Sequence, residues 1–253
     1  MIGVFFISQK SRHALVFVVA LLLLASPGCR KRANTNNANN VSSSASAGSE
    51  ESRLQAQDLV NQAKELYKND EDEKASELLK QAIGLDPDNA EAHLRLGMSY
   101  AALGKKTEAE DEYKKAIELF KKKIQDNAKD GDAFFYLGEA NNFLNRDEEA
   151  ARAYNQATKL KPDDEEAWYQ LGMAETKLAQ YPDAIAAFEK ALEIDPNDYR
   201  ATDGLANAKE GAQRIREGRK HNEDMLRKQQ ANANANTNSN SNSGTNPAPK
   251  RTP

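Results

Sequence analysis

Residues 165–198 read EEAWYQLGMAETKLAQYPDAIAAFEKALEIDPND, and this stretch decides the fold. Its apolar side chains recur at helical spacing, first as Trp168, Leu171, Ala174 and Leu178, then as Ala184, Ile185, Phe188, Ala191 and Leu192. That period predicts two amphipathic helices and no strand. Pro196 stops the second helix. Gly172 on the first helix and Ala184 on the second remove bulk where the two approach, while Phe188 and Trp168 fill the space beside them.

The same pattern recurs upstream. Leu171-Gly172 has counterparts in Leu96-Gly97 and Leu137-Gly138. Each glycine is followed at fixed offsets by an alanine (Ala109, Ala150, Ala184), an aromatic (Tyr113, Tyr154, Phe188) and another alanine (Ala116, Ala157, Ala191). An earlier copy has Ala63, Ala75, Leu79 and Ala82 at matching positions. The units are 56–89, 90–123, 131–164 and 165–198, each 34 residues, with seven residues inserted before the third. Pro87, Pro162 and Pro196 close the first, third and fourth units. The second lacks that stop, and Lys121-Lys122-Lys123-Ile124-Gln125 continues its helical pattern, so the insert predicts about two further turns.

On these residues the region resembles the tetratricopeptide repeat, over 143 of 253 residues. The resemblance implies an all-α solenoid of four helix-turn-helix repeats, wound into a right-handed superhelix with a concave inner surface. Helix pairs of this kind cannot bury their apolar faces alone, so stability comes from stacking. Unit one is more polar, with Gln62 in the leucine position and Asn69-Asp70-Glu71-Asp72-Glu73 at its turn, as a terminal repeat should be. After unit four, Ala201, Leu205, Ala208, Ala212 and Ile215 form one more apolar stripe, which predicts a capping helix over 199–228 weakened by Gly204, Gly211 and Gly218.

Charge is segregated along the chain. Residues 1–55 hold 6 basic and 2 acidic groups, 56–198 hold 19 and 32, and 199–253 hold 10 and 5, which together give the net −4. A middle region at −13 is the wrong sign for a nucleic-acid footprint. The N-terminus has the layout of a secretory signal over 1–28: Lys10, Arg12 and His13 precede the apolar run 14–25, and Ser26-Pro27-Gly28-Cys29 follows. Twelve helical residues reach about 18 Å against roughly 30 Å of hydrocarbon, which disfavours an uncleaved span.

Gly28 before Cys29 resembles the lipobox of bacterial lipoproteins, although Ser26 and Pro27 stand where that family has Leu and then Ala or Ser. The resemblance implies lipidation of the Cys29 thiol and attachment to the membrane. Arg30, in place of the Asp linked to inner-membrane retention, implies an outer-membrane lipoprotein facing the periplasm. Ordinary signal cleavage is the alternative, and would leave a secreted or periplasmic protein with a free terminal thiol at Cys29. Residues 29–55 have almost nothing to bury and predict a disordered tether, whose Arg30-to-Gln55 portion has a reach of about 30 Å; 229–253 predict a disordered tail.

Neither an enzyme nor a cofactor site is expected. A single cysteine allows no intrachain disulfide, and His13, His93 and His221 lack neighbours at metal-ligand spacing. Residues 97–107 imitate a phosphate loop with the wrong glycine spacing and no preceding strand. Residues 126–131 imitate a calcium loop but put Ala128 and Leu137 where oxygen ligands belong.

Within the repeat family the first helices line the inner groove. Carried over by repeat position, the resemblance places Leu94, Met98, Phe135, Phe143, Tyr169 and Met173 there, a mixture of thioethers and rings suited to an apolar peptide or helix. Leu94 and Phe143 could instead turn inward and pack between units. The basic clasp by which some relatives hold a terminal carboxylate is absent from the matching positions. The chain therefore reads as a non-catalytic adaptor of the bacterial cell envelope that binds a partner protein or peptide, resembling repeat lipoproteins that serve outer-membrane or pilus assembly. The runner-up is a structural spacer or self-associating scaffold with no peptide ligand. A third reading lays the basic stretch 214–228 on anionic lipid, against its acidic interruptions.

Overall fold

The computed structural model describes residues 38–241, with side chains for 49–233. The signal segment 1–28 and Cys29 lie outside the described residues. The chain divides between Ser44 and Ala45 into two units. Described residues 38–44 of the first unit are helical, and apart from that start of the first helix the second unit contains what is discussed below.

All described regular structure is helical: α1 (Ala38–Lys68), α2 (Asp72–Leu85), α3 (Ala90–Ala102), α4 (Lys106–Asp126), α5 (Gly131–Phe143), α6 (Asp147–Leu160), α7 (Glu165–Lys177), α8 (Tyr181–Ile194) and α9 (Tyr199–Ser241). Each hairpin turns through one left-handed residue at the same place in the repeat: Asp70, Gly104, Asn145 and Ala179, with φ between 54° and 74°. The residue after it donates its N–H to the carbonyl five positions back, Glu71 to Leu66, Lys105 to Tyr100, Arg146 to Asn141 and Gln180 to Glu175, at 2.8 to 3.0 Å. This is the Schellman closure, which satisfies carbonyls that a helix end leaves open.

Joints between repeats are capped from the other side. Asn89, Asp130 and Asp164 accept from the backbone N–H of Ala92, Ala133 and Ala167 at 3.0, 2.9 and 3.2 Å, and Asp198 accepts from Arg200 N–H at 2.8 Å. An oxygen at the N-cap occupies donors with no partner inside the helix. A second tie crosses the same joints: Trp168 Nε1 donates to the Pro162 carbonyl at 2.8 Å, and His93 Nε2 meets the Pro87 carbonyl at 3.2 Å. Phe134, with no donor, stands at the joint that follows the insert. There α4 has 21 residues where α2, α6 and α8 have 14, and Ile124 on the added turns packs against the core.

The core is a row of small-against-large contacts repeated along the stack. The Phe188 ring lies between two helices: a Cβ on Gly172 of α7 would stand 2.9 Å from it, and one on Gly204 of α9 2.6 Å. Gly204 and Gly211 are thus not mere weaknesses in the capping helix, because they seat the rings of Phe188 and Tyr181. Gly218 has open space around it. First helices also touch one another, α3 against α5 and α7 against α9, and no second helix makes a comparable contact with the next among the described residues. Elements that converge lie on the inside of a curve, so the first helices form the inner face.

Two boundaries differ from the sequence reading. α1 begins at Ala38, inside the stretch assigned to a disordered tether, and α9 runs to Ser241, past the assigned start of the tail. Low hydrophobicity predicts that a segment cannot build a core, but it does not end a helix that is already nucleated next door. No proline interrupts 30–68 or 199–241, so both helices continue.

Candidate functional site

Five of the six side chains assigned to the groove keep some exposure on α3, α5 and α7. Met98 is half-buried and lines a small recess with Ala63, Lys64, Tyr67 and Arg95. Phe143 is 40% exposed, and its ring stacks on Tyr113 with centroids 4.9 Å apart and planes 7° from parallel. Phe135 is half-buried, 5.6 Å from the Tyr136 ring and 5.7 Å from that of Tyr154. Tyr169 and Met173 are half-buried against the cluster around Phe188.

Leu94 is a correction. It is fully buried, in a cluster with Ala109, Tyr113, Ala133 and Ala140, and offers nothing to a partner. Its register is that of Phe135 and Tyr169. The following helix presents the same pair of buried alanines at each joint, Ala133 and Ala140, Ala167 and Ala174, Ala201 and Ala208, so the difference is the size of the side chain itself: a leucine is covered there, whereas the rings of Phe135 and Tyr169 are only half-buried. Val60, at the same register of α1, is likewise fully buried.

Sequence reasoning missed the charge organisation between these apolar groups. Glu91 binds Arg95 at 2.7 Å and Lys64 of the preceding repeat at 3.6 Å. The Arg95 guanidinium lies 5.9 Å from the centre of the Tyr136 ring. At the other end, Arg200 at the start of α9 reaches Glu166 at 3.0 Å, Asp198 at 3.2 Å and Glu165 at 3.6 Å, and covers the Tyr169 ring at 4.6 Å. Lys177 spans from α7 to Asn142 at 2.5 Å and Asp147 at 3.4 Å. The available signal was positional: Glu91 and Arg95, or Glu166 and Gln170, are one turn apart on the helix face that also carries Met98 and Tyr169.

Three carboxyls are displaced to about 7. Burial pushes Glu139 up, with Glu166 and Glu91 adding to it against the pull of Arg95 and Lys64. Burial also raises Glu165, and a hydrogen bond to Asp198 raises it further. Asp198 moves down, since its bonds to Glu165 and Arg200 outweigh its own burial. Glu165 Oε1 is itself buried without a hydrogen-bond partner. Glu175 is raised by burial, with Asp183 adding to it, and its Oε2 has no hydrogen-bond partner.

Glu175 belongs to a separate feature, a cleft of about 690 Å³ lined by Leu137, Asn141, Arg146, Arg152 and Gln156, which shares no residue with the inner face. Asn141 and Glu175, which line the cleft, stand at the repeat position where unit two has Tyr100. His93 is buried and bonded through Nδ1 to Glu112 at 2.6 Å, a packing role. Among the described residues there is no group of three side chains able to hold a metal, and no helix long and apolar enough to cross a membrane.

The inner face thus offers rings, thioethers and fixed charges for contact. Family models described as tetratricopeptide repeat match residues 60–128 and 165–198, and one described as TPR repeat matches 144–178. No curated protein matches the chain. Among solved structures it is similar to pilF of Pseudomonas aeruginosa, at 20% identity over 68% of this chain and 74% of that one, with a TM-score of 0.51. It is similar also to the MamA protein, at 24% identity over 77% and 98%, with a TM-score of 0.46. With matched repeats and hairpins closed at the same positions in each, the repeat region 56–198 has the fold of a tetratricopeptide-repeat α-solenoid.

Proposed function

We propose that the protein is a non-catalytic adaptor that holds a segment of a partner protein along its first helices, and that it does so from the bacterial cell envelope. The fold supports an interaction role. The observation that carries the finer reading is the exposure of Phe143 and the partial exposure of Met98, Tyr169 and Met173 on the first helices, with ion pairs between them. Adaptable thioethers and rigid rings in a shallow trough suit an extended or helical segment. Affinity purification from the native host tests it: a partner held by wild type is released by Met98→Glu and by Tyr169→Glu, while both variants keep their helical signal. Retention of the same partner by both variants would refute the groove.

The envelope placement rests on the N-terminal sequence. Lipidation at Cys29 predicts incorporation of labelled fatty acid, lost in Cys29→Ala, with the protein then released into the soluble envelope fraction. One observation favours self-association as a second reading: α9 carries Ile215, Met225 and Leu226 at 45 to 57% exposure. Light scattering showing a concentration-dependent dimer that disappears with Ile215→Glu and Leu226→Glu would support it.

A further inference from the structure

The inner face is punctuated by charges that pair off from both ends and leave one over. Lys64 and Arg95 are both committed to Glu91. Arg200 is committed to Glu166, with Glu165 and Asp198 behind it. Between these two clusters, on α5, Glu139 has no hydrogen bond or ion pair among the described residues, and Arg95 and Lys64 act on it only through space. It is half-buried, so it is partly withdrawn from solvent without gaining a charged partner in return. A carboxylate left in this state is costly to the free protein, and the cost is relieved by any guest that brings a positive group.

We propose that Glu139 receives a lysine or arginine side chain of the partner segment, so that the groove selects a segment with one basic residue between apolar ones. This rests on the groove reading above and specifies its ligand. The surroundings fit such a guest. Tyr136 lies one turn before Glu139 and Phe143 one turn after, so aromatic side chains flank the carboxylate along its own helix. Met98 and Met173, on the helices to either side, would receive the apolar neighbours. The charge balance points the same way: Lys64, Arg95, Lys177 and Arg200 face Glu91, Glu139, Asp147, Glu166 and Asp198, four positive against five negative without Glu165. The surrounding repeats, residues 56–198, hold 19 basic and 32 acidic groups, which favours the approach of a basic segment. A free metal ion is the wrong guest, because a hard cation requires several oxygen ligands and Glu139 supplies one carboxylate. An ammonium or guanidinium group is satisfied by one carboxylate and adjacent rings.

The test is selection from a random twelve-residue peptide display library on the full chain at pH 7.5, run in parallel on Glu139→Gln, Glu139→Lys and Tyr169→Glu, all checked for wild-type helicity. The expected wild-type pool carries one Lys or Arg flanked by apolar residues, and replacing that residue by norleucine in the best peptide weakens binding about tenfold. Glu139→Gln loses the preference and Glu139→Lys turns it toward acidic peptides. A wild-type pool with no basic residue, still dependent on Tyr169, overturns the assignment of Glu139 while leaving the groove intact. A pool indifferent to Tyr169→Glu, or no enrichment at all, overturns both. A concentration-dependent dimer abolished by Glu139→Gln would give the face to a second copy of the chain and likewise overturn the proposal.

Discussion

Two residues in the repeat are at odds with their surroundings, and each yields a prediction. Ala179 turns the fourth hairpin at φ 57°, a conformation that unit two gives to Gly104 and that costs a side chain with a Cβ about 1 kcal/mol. Ala179→Gly should therefore stabilise by up to about 1 kcal/mol in urea titrations, and Gly104→Ala should destabilise by a similar amount. Tyr154 buries a hydroxyl with no partner, at the register where unit four has Phe188. Deleting an unsatisfied polar atom without changing the ring should help, so Tyr154→Phe is expected to raise stability by about 1 kcal/mol. A loss of stability in that variant would show that the hydroxyl has a partner after all.

At the scale of the element, the caps and stops were the most legible part of the chain. Pro87, Pro162 and Pro196 announced helix ends from sequence alone, and the missing proline of unit two announced the longer α4. The direction of a side chain was legible only where its neighbour's size could be weighed too. Leu94 shows the limit: its position assigned it to the groove, and a leucine there is small enough to be covered, where Phe135 and Tyr169 at the same register are not. The ion pairs that cross between repeats were illegible for a related reason, since Lys64 with Glu91 and Glu166 with Arg200 join different repeats, unlike Glu91 with Arg95. No local spacing rule brings them together. The N-caps give a direct check. Asp164→Ala removes the oxygen that holds Ala167 N–H and should cost about 1 kcal/mol, whereas Asp163→Ala, at its exposed neighbour, should cost nothing measurable in the same thermal melt.

For the molecule as a whole, stability should depend on pH in an unusual direction. Glu139, Glu165 and Glu175 hold their protons up to about 7 in the folded chain, while in the unfolded chain they release them near the ordinary glutamate value. Between those limits the folded state binds more protons, so stability is greatest below the unfolded value and is lost as pH rises toward 7. The melting temperature is expected to be higher at pH 5.5 than at pH 8.0, with Glu175→Gln raising the pH 8.0 value and flattening the difference. A melting temperature that falls on acidification over this range would contradict the assignment of these carboxyls.

A stack of hairpins has two long surfaces, and the account stands on the claim that the converging one meets the partner. Site-specific photo-crosslinkers placed in the native host at Met98 and Tyr169 on the inner face, and at Lys159 and Ala186 on the second helices, test this most directly. The prediction is a discrete crosslinked partner from the first two positions and none from the others. Capture from Lys159 and Ala186 with silence at Met98 and Tyr169 would contradict it.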